Sequence, residues 1–220
     1  MLQLSTREPF AKGGNRLCFV HPDHDDRCIK VRRPDFTLAD LRRKKGGIKR
    51  LLPLSFFDDN REEFEVISDL ERRHGQSVFE VVSRCYGFEP TDMGEGLVLE
   101  LVRDASGEIS QTLKAHIWRQ GLTEDCRAAV QVFAKRWQEL GIPSRDLLLH
   151  NILVQKGPDG QVERLVVIDG LGSPNIIPFY ALPANARQAK VQRKLDNMHQ
   201  RIRQTLDKKA RGEKPGSHGM

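Results

Sequence analysis

The sequence predicts an α+β fold with two unequal lobes, a small antiparallel strand-rich N-lobe and a truncated helical C-lobe. Three observations predict it. Short β-prone runs occur in pairs, each pair split by a polar break. Apolar stripes of helical period occupy three other stretches. The order is strands, helix, strands, helices, hairpin, helix, which suits an α+β chain rather than a regular βα alternation.

The elements follow in sequence. "RLCFVHP" and "RCIKVRR" flank the turn-rich "DHDD" and read as a hairpin, preceded by a flexible loop at Lys12-Gly13-Gly14-Asn15. Residues 35–57 give no clear element, and the glycines of "RRKKGG" break whatever precedes them. From Asp58, Phe64, Ile67, Leu70 and His74 recur at helical spacing, and Gly75 is a natural stop. "SRCYGFEP" and "EGLVLELV" are two more strands, split by "TDMG". Residues 110–120 read as a short helix ended by Gly121. Thr123 caps the next helix, with Glu124 and Asp125 at its positive end. Its stripe is Cys126, Val130, Phe133, Trp137 and Leu140, and Gly141 and Pro143 end it. "NILVQ" and "RLVVID" form a hairpin around the turn residues of "KGPDGQ", and "DGLGSPN" is a loop. The last helix runs from about Ala184 to Lys209, with Val191, Leu195, Met198, Ile202 and Leu206 as its buried side. Two heptads make that side core rather than a coiled-coil seam. The expected division is residues 1–103, residues 104–210 and a disordered tail at 211–220. Ligands usually bind in the cleft between two such lobes.

Composition narrows the class. The chain has 220 residues, 38% apolar and 30% charged, enough to bury a core. Its formal charge of +6 is concentrated near the end, in "RQAKVQRKLDNMHQRIRQTLDKKARGEK". A solvated helix face explains that run, and a nucleic-acid, acidic-lipid or acidic-protein partner is the alternative. Cys18, Cys28, Cys85 and Cys126 form no C-x-x-C pair and suit a reducing compartment. The start, "MLQLSTREPFAKGG", has no signal-peptide apolar core, and no apolar run nears the roughly 20 residues of a membrane span. The expectation is a soluble cytoplasmic protein with no membrane partner.

Four features carry possible chemistry. Gly13 and Gly14, lacking Cβ atoms, let backbone N–H groups approach a phosphate, or simply make a loop. Lys30 in "CIKV" can reach a phosphate from a sheet, or be a half-exposed strand lysine. Glu63 can pair with Lys30, although Glu62 and Glu65 are also available. The fourth and most specific set is Asp146, Asn151 and Asp169. Asp146 can accept or orient a hydroxyl proton. Asn151 and Asp169 offer oxygens to magnesium, a hard cation. Asp169 ends the apolar strand of "LVVIDGLG", which an Asp-Gly turn also explains. His21, Asp23, His24 and Asp25 of "HPDHDD" suit a solvated turn better than a metal.

These residues carry a resemblance to the protein-kinase-like fold. "SRDLLLHNIL" resembles the catalytic loop H-R-D-x-x-x-x-N, "IDG" the metal-binding D-F-G, and "CIKV" the strand with the ATP lysine. The start, "LSTREPFAKGGNRLCFVHPDHDDRCIKV", together with "HNILV", resembles bacterial YrbL-type proteins, the PhoP regulatory network family, from about Leu4 to Met198. The resemblance implies ATP and Mg2+ as cofactors. It implies Lys30 on the α and β phosphates, Glu63 holding Lys30, Asp146 as base or hydroxyl-positioning group, and Asn151 and Asp169 as metal ligands.

There are departures. Ser144 stands for the His of H-R-D, and Leu148 for the lysine two residues after the Asp. Ala11 stands where a first loop glycine is expected, Gly170 directly follows Asp169, and no A-P-E follows. Two readings result, an ATP-dependent phosphotransferase with an unidentified phosphate acceptor, or a pseudokinase acting as a regulatory binding module. A basic nucleic-acid-binding protein using the last helix is the third, with few aromatic residues to stack on bases.

Overall fold

The computed structural model describes residues 1–45, 58–172 and 178–216. The break expected at Gly46 and Gly47, the end of the "DGLGSPN" loop and the last four residues lie outside them. The chain divides into two compact units, Met1–Asp69 with Arg84–Leu101, and Leu70–Ser83 with Val102–Met220. The α+β class expected from the sequence is what forms.

The first unit is built on a five-stranded antiparallel sheet, order β1-β2-β3-β5-β4. Its strands are β1 (Ala11–Lys12), β2 (Arg16–Val20), β3 (Arg27–Arg32), β4 (Cys85–Thr91) and β5 (Gly94–Glu100). Alternation along β3 fixes which side chain meets which face. Ile29 and Val31 join Leu4, Phe19 and Val98 in one buried cluster. Lys30 lies in register with Cys18 on β2 and Leu97 on β5 and points to the other face. β5 approaches β3 so closely at Gly96 that a Cβ there would collide with Ile29 Cγ2 and lie 3.2 Å from Val31 Cγ1. Asp92 in the β4–β5 turn pins the N-terminus by accepting the Leu4 amide at 2.7 Å.

The loop expected at residues 12–15 is a hairpin turn, because Ala11 and Lys12 pair with β2. A two-residue exposed strand has no apolar pattern to reveal it. Helix α1 (Leu38–Lys45) lies in the stretch that gave no clear element. A reciprocal cap starts it: Thr37 Oγ1 accepts the Asp40 amide at 3.2 Å, and Asp40 Oδ2 accepts the Thr37 amide at 2.8 Å. Helix α2 (Asp59–His74) turns Asn60, Glu63, Ile67 and Leu70 to one side, at spacings of three and four. Beyond it the chain enters a 3-10 turn, Gly75–Glu80, with Gly75 at φ +62°.

The second unit holds a three-stranded antiparallel sheet, order β6-β7-β8, from β6 (Gln111–Thr112), β7 (Ile152–Lys156) and β8 (Val162–Val167). Its helices are α3 (Leu113–Gln120), α4 (Glu124–Leu140) and α5 (Ala184–Ala210). The expected helix at 110–120 therefore begins at Leu113, after a short strand whose last residue, Thr112, caps it by accepting the Ala115 amide. Helix α4 buries Cys126, Ala129, Val130, Phe133 and Trp137, and Gly141 ends it in the left-handed region. Thr123 holds the N-cap position, but its hydroxyl makes no capping bond and lies 3.4 Å from His116 Nε2. Helix α5 buries Val191, Leu195, Met198 and Ile202, with Leu206 half-buried. Among the described residues no helix is long and apolar enough to cross a membrane.

Phe133 is 2% exposed on α4, whereas Val132 beside it is 69% exposed. Phe133→Ala should cost about 3–5 kcal/mol by urea denaturation, and Val132→Ala less than about 0.5 kcal/mol. Equal costs would remove α4 from the core.

His116 on α3 is buried, and burial, followed by the Lys156 charge, lowers its pKa from the ordinary value. Arg119 donates to Gln111 Oε1, so the Gln111 amide nitrogen faces His116 Nδ1 and the neutral ring is the one accommodated. The unfolded chain thus binds this proton more readily. The contribution is fully present above the unfolded value of about 6.5 and is lost as pH falls through the lower folded value. His116→Gln should flatten the decline in urea midpoint between pH 7.5 and 5.5; an unchanged decline would assign it to other groups.

Candidate functional site

Each unit carries one part of the predicted constellation. In the first, α2 covers the β3 face that bears Lys30. Asn60 Nδ2 donates to the Lys30 carbonyl at 2.9 Å, fixing helix to strand. Three residues on, Glu63 meets the lysine: Lys30 Nζ to Glu63 Oε1 is 2.7 Å, with the side chains only 8% and 9% exposed. The choice open among Glu62, Glu63 and Glu65 is settled geometrically, because Glu63 shares the face of Asn60 and Ile67. Glu63 Oε2 also pairs with Arg16 on β2, and Arg16 Nη1 reaches Asn60 Oδ1 at 3.3 Å. One carboxylate therefore serves two cations. Arg32 pairs with Asp58 at 3.0 Å on the same side.

Gly13 and Gly14 sit in the β1–β2 turn. The Gly13 amide is committed to the Arg16 carbonyl at 2.8 Å, and Arg33 Nη1 donates to the Gly14 carbonyl at 3.2 Å. A side chain at Gly14 would meet open space, so its backbone is approachable. In the "HPDHDD" turn, His21 packs against the His24 ring and lies 3.2 Å from Glu89 Oε1.

In the second unit, residues 143–151 run beside residues 168–172. Arg145 N–H donates to the Gly170 carbonyl at 2.8 Å, Gly172 N–H to the Pro143 carbonyl at 3.1 Å and Ile168 N–H to the Asn151 carbonyl at 3.0 Å. Ser144 bridges Leu171. Leu147 and Leu149 are buried and anchor the loop, and Asn151 closes the 3-10 turn Leu149–Asn151 just before β7. Asp169 follows the Asn151–Ile168 pair by one residue. Its Oδ1 accepts the Gly170 amide at 2.6 Å, and it is exposed. Gly170, at φ +83°, fills the junction: a Cβ there would lie 2.8 Å from the Asp146 carbonyl oxygen and 3.3 Å from Asn151 Nδ2. Only a residue without a side chain lets these segments approach. The structure thus brings Asp146 and Asn151 together with the Asp169-Gly170 turn. Among the described residues no group of three or more His, Cys, Asp or Glu side chains could hold a metal. The oxygen donors here come from Asp169 and the Asn151 amide.

Asp146 has a partner that the sequence did not suggest. Arg201 on α5 donates Nη1 to Oδ1 at 3.1 Å and Nη2 to Oδ2 at 2.7 Å. Lys194 of the same helix donates to the Arg145 carbonyl. Arg16 and Arg201 are the site residues that sequence reasoning missed. Arg16 alternates with Cys18 on the strand facing Lys30, a signal available once the hairpin is recognised. Arg201 is 55 residues from its partner and carries no local signal.

The fold and these residues define a two-unit α+β protein with ionisable groups on a sheet–helix pair and around a strand hairpin. The family model of the PhoP regulatory network protein YrbL matches residues 2–203, and the chain belongs to that family. It is 29% identical over 182 residues to the YrbL proteins of Escherichia coli (strain K12) and Shigella flexneri, both described as uncharacterized, covering 81% of this chain and 77% of each of them. Among solved structures, a point mutant of the Mycobacterium tuberculosis PknI kinase domain is similar with a TM-score of 0.42 and 14% identity, over 76% of this chain. The chain spans 59% of that domain's length.

Glu63 balances Arg16 and Lys30 together. Glu63→Gln removes the carboxylate that Lys30 and Arg16 share and should cost about 3–5 kcal/mol. Lys30→Met leaves Glu63 with Arg16 and should cost less. Urea denaturation of both variants checks this; equal costs would contradict a shared carboxylate.

Proposed function

We propose that the chain is a kinase-like protein that binds ATP with Mg2+ and transfers its terminal phosphoryl group. The observation that carries the reading is the buried Lys30–Glu63 pair. A strand lysine held in one place by a helix carboxylate is what phosphate binding needs. Without a ligand to use it, a buried pair is often no more stable than an apolar substitute.

Under this reading Lys30 contacts the α and β phosphates and the Gly14 backbone approaches the phosphates. Glu63 holds Lys30, while Arg16 fixes Glu63. Asn151 and Asp169 fit Mg2+ by donor chemistry, since that ion takes one or two protein oxygens and fills its remaining positions with phosphate and water. Bound there, the ion neutralises charge on the phosphates. Asp146 orients the acceptor hydroxyl and accepts its proton. The acceptor oxygen bonds to the terminal phosphorus as the bond to the β,γ-bridging oxygen breaks, and nucleoside diphosphate leaves. An ATP requirement fits the cytoplasmic location expected from the thiols.

A second reading, a regulatory binding module without turnover, is favoured by one observation. Asp146 is already engaged at both oxygens by Arg201. The family's description, a regulatory network protein, agrees with it. The nucleic-acid reading loses ground, because Lys194, Arg201 and Lys209 of α5 are turned onto the chain's own carbonyls and carboxylate.

The test is the ligand-induced change in thermal midpoint. At about a hundred times its Kd, Mg·ATP should add roughly 2.7 kcal/mol of stability to the wild type. The shift should be lost in Lys30→Ala and Asp169→Ala, each compared with its own ligand-free midpoint. Asp146→Ala should keep the shift and abolish phosphoryl transfer. No shift at millimolar nucleotide would overturn the proposal. A shift without turnover in the wild type would select the regulatory reading.

A further inference from the structure

Arg201 does more than neutralise Asp146. Two of its five guanidinium N–H groups are used on the carboxylate. The other three have no hydrogen-bond partner among the described residues. The Arg201 and Asp146 side chains are 33% and 31% exposed, so the pair is open to solvent rather than sealed in the core. The fork geometry that grips a carboxylate bidentately grips phosphate equally well.

Its position is set by the core rather than by the pair. Leu195, Met198 and Ile202 bury one side of α5, which fixes the helix rotation. Lys194 and Arg201, two turns apart on one flank, then engage adjacent loop residues, Arg145 and Asp146. The three residues directly after Asp146 offer no cation: Leu147 is buried, and Leu148 and Leu149 are apolar. A triphosphate arriving beside Asp146 meets its carboxylate and that of Asp169 next to it, and Arg201 is a cation placed to offset them.

We infer that Arg201 is a phosphate-binding residue, supplied from α5, that contacts the transferring phosphoryl group of a nucleoside triphosphate while holding Asp146 in place. This rests on the nucleotide reading above and deepens it.

The experiment is calorimetric titration of the full chain with Mg·ATP and Mg·ADP, for wild type, Arg201→Ala, Arg201→Gln and Arg201→Lys. Ligand-free thermal midpoints identify any variant that fails to fold. Arg201→Ala and Arg201→Gln should lose roughly ten- to a hundredfold in Mg·ATP affinity. Their Mg·ADP affinity should stay within about twofold of wild type, because the diphosphate lacks the contacted group. Arg201→Lys keeps the charge without the fork and should recover part of the loss. A parallel fall for both nucleotides would make Arg201 a structural brace and overturn the inference. Unchanged affinities, or tighter Mg·ATP binding in Arg201→Ala, would overturn it too, the latter marking Arg201 as a restraint on Asp146. A wild type that binds neither nucleotide removes the nucleotide reading and the inference with it.

Discussion

The largely buried Lys30–Glu63–Arg16 cluster is the constraint on which the first unit depends. Two cations and one carboxylate removed from water cost several kcal/mol each before they attract one another. The arrangement persists only if each group stays close to its partners. That condition fixes three elements at once. The β2–β3 register places Arg16 and Lys30 on one face, and α2 must sit where Glu63 reaches both cations. Asn60, bonded to the Lys30 carbonyl, holds the helix at that depth. The opposite face of β3 supplies the hydrophobic stabilisation through Ile29 and Val31. One strand thus carries core packing on one side and charge on the other, and its alternation keeps them apart.

In the second unit the comparable constraint is backbone proximity. The loop before β7 and the turn after β8 run antiparallel because the hairpin between them is short and holds one register from Ile152–Val167 to Gln155–Arg164, shifting only at Lys156. The Asn151–Ile168 and Arg145–Gly170 bonds extend that pairing past the strand ends. Carboxylate and amide side chains are thereby collected at the open end of a hairpin whose nearest residues, Ile152, Leu153, Val166 and Val167, are apolar. Gly170 is the point at which this would fail, since any Cβ would meet the Asp146 carbonyl. The conformational freedom of glycine is used here for close approach as well as for its positive φ.

Much of this was legible in the sequence. The paired strands, the α4 stripe with its Gly141 stop, the Pro-Asp-Gly turn and the buried side of α5 all follow from periodicity and turn chemistry, which act over a few residues. The two-residue strands β1 and β6 were not legible, because their partners, not their own pattern, make them strands. Helix α1 had a readable signal in Thr37-x-x-Asp40, hidden by the basic, glycine-ended stretch after it. Glu63 was ambiguous with Glu62 and Glu65 until the helix phase was known. Asn60 and Ile67, three before and four after, share its face and carry that phase. Arg201 was out of reach, since nothing near it in the chain refers to Asp146.

The C-terminal helix shows why charge composition misleads. Read as a string, α5 is a basic tail suited to a polyanion. In the fold its cations divide. Lys194 and Lys209 are spent on carbonyls of the same unit, and Arg201 on a carboxylate. The Asp146 carboxylate offsets the charge of Arg201, whereas a lysine bonded to a neutral carbonyl is fixed in direction and keeps its charge. Lys194 and Arg201 both stand beside the loop of Asp146, and of the two it is Arg201 that bonds its carboxylate. Part of the basic character of α5 is thus a brace for the loop at Asp146, through Lys194 and Arg201.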